Sequence, residues 1–331
     1  MKVAILGSGM AGGCCAYLLA ARGIAAEVRP SRRPAVPALL LSDAALGLIR
    51  GVFGNPGLFA DRPRIDRRIV SWGGGEPVSM PHAAVTISEA ELGAALFRAP
   101  AAAATADAEF TIHTAAPFPD GELRSFGERR AMAAEVRLLH ADDRTACWAE
   151  ALPDGWLFLI PAVSGIGWLL AVGSPLDELL EQSRHVAPRV APTGLVSSAF
   201  ETCPRLLTRL QGPDWLACGT AAIAFDPICG DGTAQSVREA ILAAAVIGGM
   251  NAGGDREALL THYESMLIAA MRRHLQLSAR FYESGGGSDW WQAQLAALAD
   301  GYRWCTARLA ALPEPRFQLR DFRLVPREEM A

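Results

Sequence analysis

The sequence comprises 331 residues with a formal net charge of −4 and a pI near 5.9. This length allows roughly two domains with a substantial core, and the weakly acidic balance argues against a nucleic-acid partner. Lys2 is the only lysine, so no mechanism that needs an internal lysine can operate.

The cysteines and the apolar runs indicate the compartment. The seven cysteines form no CxxC pair and no metal-ligand spacing with histidine, so we predict reduced thiols and no metal site. A glycine-rich turn interrupts the apolar start of the chain, which argues against a signal peptide. The longest later apolar run, 241–250, is too short to span a bilayer. We therefore expect a cytoplasmic protein with no membrane partner.

The first thirty residues read as a strand at 2–6, a glycine turn and a helix at 14–21. The turn consists of Gly7, Ser8, Gly9, Met10, Ala11 and Gly12. Gly7 allows a tight turn, Gly9 lets the backbone approach a pyrophosphate, and Gly12 lets helix and strand pack closely. The phosphates would then face the N–H groups at the start of the helix. This order predicts a dinucleotide-binding unit.

The second strand, 24–29, lacks the acidic residue that usually binds the adenosine ribose. That position falls near Pro30, and Glu27 lies three residues too early. The contact is either missing or made by another residue of this loop, with Arg29, Ser31, Arg32 and Arg33 as the candidates. The alternative for each arginine is a solvated loop.

The middle of the chain mixes helical and strand patterns. In order, they predict a helix at 42–52, strands at 68–72 and 77–80, a helix at 88–98, and a buried parallel strand at 110–114. Ser88 followed by Glu91 is a capping signal for the second of these helices. Four strands then follow one another with turns between them, at 132–139, 145–150, 156–160 and 166–172. They predict a separate antiparallel sheet, followed by short helices at 175–185 and 204–210.

A second glycine-rich loop lies more than 200 residues after the first. A strand at 215–218 leads into Gly219 and Thr220, and a helix is predicted at 234–248. The loop between them contains Asp226, Pro227, Gly230, Asp231, Gly232 and Thr233. A helix that begins directly after such a loop can hold negative charge. Two sites of this kind suggest one extended cofactor that is gripped at both ends.

These motifs carry a family resemblance. The first glycine turn, the GTAA that starts at Gly219 and the DPxxGxG that starts at Asp226 resemble the FAD-dependent monooxygenases of the p-hydroxybenzoate hydroxylase type. The segment 155–161, GWLFLIP, is similar to the GWxWxIP of the tryptophan-halogenase-like branch, which includes flavoproteins of quinone-cofactor maturation. Residues 281–283 and 289–291 are similar to the C-terminal helical stretch of that branch, and 317–326 to the tail of the maturation flavoproteins.

The resemblance implies an α/β fold, in which a glutathione-reductase-like Rossmann domain binds FAD. An antiparallel substrate domain would be inserted in it, and helices would follow at the C-terminus. The FAD domain is expected at 1–53, 85–118 and 200–255, the substrate domain at 54–84 and 119–199, and the helical segment at 256–331. The first glycine turn would hold the pyrophosphate, Asp226 would approach the ribityl or phosphate region, and 230–233 would lie against the isoalloxazine ring.

The implied activity is a monooxygenase or oxidase that uses reduced flavin and O₂ on an aromatic or peptide-borne substrate. NAD(P)H or a separate flavin reductase would supply electrons. Halogenases of this branch use a lysine that this chain lacks, which argues against halogenation. Thr220 replaces the usual aspartate and Ser88 the usual arginine, so a degenerate flavoprotein that serves as a binding or maturation partner is one alternative. A flavin reductase or dehydrogenase without oxygen transfer is another.

The catalytic base is not identifiable from the sequence. His82 and Asp231 are candidates, since one follows a predicted strand of the substrate domain and the other lies in the flavin-facing loop. Structural roles, as a hydrogen-bonded histidine and a helix-cap carboxylate, are the alternatives. Cys229 could form a redox adduct or serve as a small packing residue.

Overall fold

The computed structural model describes residues 1–31, 35–97 and 108–327. The helices are α1 (Met10–Ala20), α2 (Asp43–Phe53), α3 (Glu89–Leu96), α4 (Leu176–Gln182), α5 (Gly232–Asn251), α6 (Arg256–Gly285) and α7 (Asp289–Ala310). The strands are β1 (Lys2–Leu6), β2 (Ala25–Arg29), β3 (Leu39–Ser42), β4 (Arg64–Ser71), β5 (Val78–Ile87), β6 (Phe110–His113), β7 (Leu123–Ser125), β8 (Arg130–Leu138), β9 (Ala146–Leu152), β10 (Gly155–Pro161), β11 (Ile166–Gly173), β12 (Val190–Val196), β13 (Phe200–Glu201), β14 (Arg205–Leu207), β15 (Gln211–Gly212), β16 (Trp215–Ala217), β17 (Ile223–Ala224), β18 (Phe317–Arg320) and β19 (Arg323–Pro326).

The first sheet is the parallel one that the sequence predicts. Its order is β15-β16-β6-β1-β2, and all neighbours except β15 and β16 are parallel. Arg29, Leu6, His113 and Ala217 form one row across the carboxyl ends of four strands. Ligands of open parallel sheets bind at this edge.

The second sheet is large and almost entirely antiparallel. Its order is β12-β8-β11-β10-β9-β4-β5-β3, with β13 also on β8, and only β4 and β9 are parallel. Because side chains alternate along a strand, Leu157 and Leu159 lie on one face, where they join Leu179 of α4 in a core cluster. Phe158 and its partner Leu170 lie on the opposite face and remain partly exposed. Both faces of this sheet therefore pack against core residues, and the face of Phe158 stays partly exposed.

Helices α1 and α5 lie side by side and run in the same direction. The thiol of Cys15 contacts the carbonyl of Ala240. Further along both segments in the same direction, Arg22 lies against Gly248. Both helices consequently begin at the same end. More residues precede the contact in α5 than in α1, so α5 begins about one turn further out. That end is the carboxyl edge of the parallel sheet, since α1 follows β1 directly.

Most predicted elements are confirmed, with ends shifted by a few residues. The helix predicted at 204–210 is wrong, because Arg205–Leu207 is strand β14 between β17 and β7. The C-terminal segment contains α6 and α7 and also a hairpin, β18 and β19. Strand β3 pairs with β5 in the large sheet. The domain boundaries themselves stay a prediction.

Two sequence-based expectations concern residues outside the described ranges. Arg32 and Arg33, proposed as ribose contacts, lie there, as does the expected end of the helix near residue 98. Within the described ranges, no helix combines the length and the apolar character that a membrane span requires.

Candidate cofactor and active site

The first glycine turn is built so that no side chain fits at two of its positions. Gly7 has φ +114°, and a Cβ there would lie 2.3 Å from Oγ1 of Thr114. A Cβ on Gly12 would lie 2.3 Å from the carbonyl oxygen of Gly7. Since real Cβ atoms do not approach so closely, strand, turn and helix can pack only with glycine at these two positions.

The rest of the first turn leaves backbone groups open to a ligand. Gly9 is the N-cap of α1 and contributes no side-chain cap, so first-turn N–H groups remain without an intrahelical partner. Ser8 is exposed, Met10 is half-buried, and Ala11 is buried against the next site. Orphan N–H groups at the positive end of a helix form an anion-binding site.

The end of β2 reaches the same edge. The carbonyl of Arg29 accepts a hydrogen bond of 2.8 Å from the backbone N–H of Gly7. The Arg29 side chain is exposed and its Nε lies 3.2 Å from Oε1 of Glu27, while Ser31 is half-buried two residues later. Arg29 and Ser31 are thus adjacent to the first turn.

The GTAA segment packs directly on the first turn. Gly219 has φ +80°, and a Cβ there would lie 2.6 Å from the Cβ of Ala11. Its N–H donates to Oε2 of Glu239 on α5 at 2.8 Å. Burial raises the pKa of Glu239 to about 8, so this carboxyl is protonated at neutral pH. Thr220 is exposed at the tip of the segment.

Asp226 opens the second loop with its side chain turned into the protein. Its Oδ2 lies 2.7 Å from Nη2 of Arg129, and both side chains are 0% exposed. Its Oδ1 accepts from the N–H of Ile228 at 3.0 Å, and its own N–H donates to Nε2 of His274 at 2.7 Å. The guanidinium of Arg129 also lies 4.5 Å from the ring centre of Tyr282. The carboxylate therefore fixes the start of the loop, and what the loop offers a ligand is its backbone.

Beyond Asp226, the loop becomes accessible. Pro227 and Thr233 are half-buried, and Gly230 and Gly232 are exposed. Gly230 has φ +63°, and a Cβ on Gly232 would meet no atom within 4 Å. Like α1, α5 begins without a side-chain cap, because Asp231 binds Arg238 instead.

A cavity of about 360 Å³ lies beside this loop. Its walls come from the loop, from strands β3, β4 and β5, and from helices α5 and α6. Both catalytic candidates, His82 and Asp231, line it. The fold thus brings together two residues that are 149 positions apart in the sequence.

His82 is held neutral in this cavity. Burial lowers its pKa, and the neighbouring guanidinium of Arg68 lowers it further, against an opposing effect of Asp43. Nη2 of Arg68 lies 3.5 Å from Nε2 of His82. Since a guanidinium can only donate, Nε2 is the acceptor in this contact and its lone pair faces Arg68.

Cys229 and His274 form the apolar side of the cavity. Burial raises the pKa of Cys229 to about 11, so its thiol is not ionised at neutral pH. His274 is buried and its ring stacks on Phe225 with 4.0 Å between centroids. Burial lowers the pKa of His274 to about 3, which leaves it neutral. These features favour the packing role for Cys229.

Sequence reasoning missed Arg68, Arg129 and Glu239. Arg129 and Glu239 are buried ionisable residues outside the motifs, and their partners lie 97 and 20 residues away. Arg68 lies in a predicted strand, where it resembles its neighbour Arg67, which faces the other side. Only strand register distinguishes the two.

No protein-family model and no curated protein matches the sequence. Solved structures do match the fold. The myxobacterial chondrochloren halogenase CndH superposes with a TM-score of 0.73 at 16% identity, over 97% of this chain and 93% of that one. The peptidyl tryptophan dihydroxylase QhpG, essential for tryptophylquinone cofactor biogenesis, gives 0.68 at 18% identity, over 98% and 86%.

A third structure similar to this chain holds the cofactor itself. Klebsiella pneumoniae HpxO, in complex with FAD and uric acid, superposes with a TM-score of 0.63 at 15% identity, over 93% of this chain and 96% of that one. At these identities the likeness concerns the fold. The chain has the fold of the FAD-dependent halogenases and monooxygenases, which confirms at that level the resemblance carried by its two glycine loops.

Proposed function

We propose that this protein is an FAD-dependent oxidoreductase, a monooxygenase that oxidises an aromatic or peptide-borne substrate with O₂. One observation carries the proposal: two parallel helices without side-chain caps begin at one edge of the sheet, beside a cavity that holds a neutral histidine. This arrangement suits a ligand that is anionic in its middle and planar at one end.

The residues fit FAD in type and placement. The N–H groups at Gly9 and the first turn of α1 would bind the pyrophosphate, and Arg29 or Ser31 would reach the ribose. The GTAA turn at Gly219 would lie along the connecting chain. The open backbone at 230–233 would face the ring system, because a side chain at Gly232 meets no protein atom. Bound FAD would supply electron transfer to O₂ and oxygen transfer to an electron-rich ring.

The protein's own residues would prepare the substrate. His82 has a neutral imidazole and is the candidate proton acceptor, and its Nε2 would reach a ring N–H or O–H once the guanidinium of Arg68, 3.5 Å away, turns to the ligand. Asp231 is paired with Arg238 at 2.5 Å, so we assign it to shaping the loop and not to proton transfer. Cys229 and His274 would limit water on their side of the cavity.

Two features favour monooxygenation over halogenation and a large substrate over a small one. Lys2, the only lysine, is the first residue of β1 and lies at the amino end of the parallel sheet, opposite the cavity edge. Phe158 stays partly exposed next to the cavity residue Arg68, whose guanidinium lies 5.7 Å from its ring centre. A peptide-borne ring could reach such a site, and electrons would come from NAD(P)H in transient contact or from a separate flavin reductase.

The visible spectrum after incubation with FAD and dialysis tests this proposal. We expect flavin bands that survive dialysis and bleach under a reductant. Gly232→Leu should weaken FAD binding by at least about tenfold, since the added side chain enters the space of the ring. Gly51→Leu is the matched control, because Gly51 is also a helical glycine with no atom within 4 Å of a Cβ. No bound flavin at micromolar FAD would favour the degenerate binding or maturation partner instead. NAD(P)H consumption without an oxygenated product would favour a reductase.

A further inference from the structure

The cavity beside the second glycine loop carries excess positive charge. Arg68, Arg238 and Arg273 line it, and Asp231 is the only carboxylate among its lining residues in the described chain. Asp231 and Arg238 neutralise each other. The two remaining guanidiniums therefore face the cavity without a negative partner there.

Arg68 is the more confined of the two. It is half-buried, its Nε is inaccessible to solvent, and this atom has no hydrogen-bond partner in the described part of the chain. The neighbours of its guanidinium are the thiol of Cys147, the imidazole of His82 and the ring of Phe158 at 5.7 Å. None of these carries a negative charge at neutral pH. A guanidinium seldom remains in such a place without a carboxylate or phosphate partner.

Strand register directs Arg68 to the reaction side. Arg68 pairs with Met80 across β4 and β5, so its side chain lies on the cavity face of the sheet, with that of His82. Its Nη2 is 3.8 Å from the Cβ position of Gly230 in the loop. An anion bound here would lie between the loop and the proton acceptor.

Arg273 lines the same cavity from α6. It lies on the exposed side of α6, next to the buried His274, and no carboxylate pairs with it within residues 1–31, 35–97 and 108–327. Two guanidiniums that line one cavity from different elements can bind one carboxylate through charge-assisted hydrogen bonds.

We propose that Arg68 and Arg273 bind a carboxylate that the substrate carries close to its reacting aromatic ring. The inference rests on the proposed function, because it treats the cavity as the substrate site. It narrows the substrate to an acidic aromatic compound, or to a peptide with an acidic residue beside the target ring. His82 would then face the ring next to the bound carboxylate.

Calorimetric titration with two matched probes tests the proposal. Indole-3-acetate carries a carboxylate, and indole-3-acetamide has the same shape without the charge. We expect the FAD-loaded protein to bind the acetate at least about tenfold more tightly. Arg68→Met should remove this preference, Arg68→Lys should keep part of it, and the exposed Arg273→Met should reduce it. Arg67→Met, one position along β4 on the other face, should leave it unchanged.

Several results would overturn the proposal. One is equal or undetectable binding of the two probes. Another is an equal loss of the preference for indole-3-acetate in Arg67→Met and in Arg68→Met. A third is an effect of Arg68→Met on the reduction potential of the flavin alone. The last result would mean that Arg68 serves the reduced cofactor. Titration of the flavin-free protein separates this proposal from the proposed function. If the protein retains no FAD but still prefers indole-3-acetate, and this preference depends on Arg68, the carboxylate site is supported and the proposed function is wrong.

Discussion

At the residue scale, the site depends on charges that the fold has buried. Arg129 and Asp226 are wholly removed from solvent, and their pair holds the second loop where it turns towards α5. Burying two charges costs free energy that a close, hydrogen-bonded geometry offsets. The intact pair therefore contributes little net stability, whereas removing one of its two charges costs much more.

Removing only one partner of this pair should be strongly destabilising. We expect Asp226→Asn to lower the free energy of unfolding by about 3 kcal/mol, because it leaves the Arg129 charge buried and unpaired. The double variant Arg129→Met with Asp226→Asn should recover most of that loss. Urea unfolding followed by circular dichroism measures both, and losses that simply add would show that the two residues act independently.

Glu239 should make the stability of the protein fall with rising pH. Its pKa is about 8 in the folded state against an ordinary value of 4.5. Between these values the unfolded chain binds fewer protons, so the free energy of unfolding falls as pH rises, by up to about 1.4 kcal/mol per pH unit. The contribution is complete below pH 4.5 and is lost as pH approaches 8.

Glu239→Gln tests this pH dependence. Glutamine still offers an oxygen to the N–H of Gly219 but does not titrate, so from pH 5 to pH 8 the free energy of unfolding of this variant should fall less than that of the wild type. Glu257→Gln, on the exposed start of α6, controls for the change in net charge. Equal changes in Glu239→Gln and the wild type would contradict the assignment, since the lowered pKa values of His82 and His274, which make stability rise towards pH 6.5, are common to both proteins.

At the element scale, local signals predict helix starts well. Ser88 caps α3 as its sequence predicts: its hydroxyl accepts from the N–H of Glu91, and the Glu91 carboxylate accepts from the N–H of Ser88. The serine that replaces the arginine of the related flavoproteins therefore has a structural role of its own. Ser88→Ala should lower the free energy of unfolding by about 1 kcal/mol. Ser198→Ala, at an exposed position outside any helix, should change it far less.

Pairing between distant segments is what the sequence leaves open. The glycine turns were predictable because strand, glycines and helix follow one another within thirty residues. Residues 204–210 look helical, yet β14 forms there because strands at 123–125 and 223–224, which are distant in the sequence, complete its hydrogen bonds. Arg68 escaped detection for the same reason, since its direction depends on the register of β4 with β5.

At the scale of the whole molecule, the two glycine loops lie at the same end of α1 and α5 because these helices are parallel neighbours, and we propose that the loops form one site. An extended cofactor that binds both loops loses its translational and rotational entropy once, whereas two separate halves each lose theirs. FAD should therefore stabilise the protein by more than the sum of the effects of ADP and FMN. Because a ligand at 100 times its Kd adds about 2.7 kcal/mol, we expect FAD to raise Tm by at least about 3 °C.

Gly232→Leu tests the contribution of the second loop separately from that of the first. In Gly232→Leu, the shift caused by FMN should disappear and that caused by FAD should shrink, while the small shift caused by ADP should persist, because α1 and the turn at Gly7 are untouched. Thermal melts with each ligand at equal concentration measure all three. If FAD shifts Tm no more than ADP does in the wild type, the second loop contributes nothing to cofactor binding, and the cavity beside it must serve another ligand. If all three shifts vanish in Gly232→Leu but persist in Gly51→Leu, the two loops form one cooperative unit that opens as a whole.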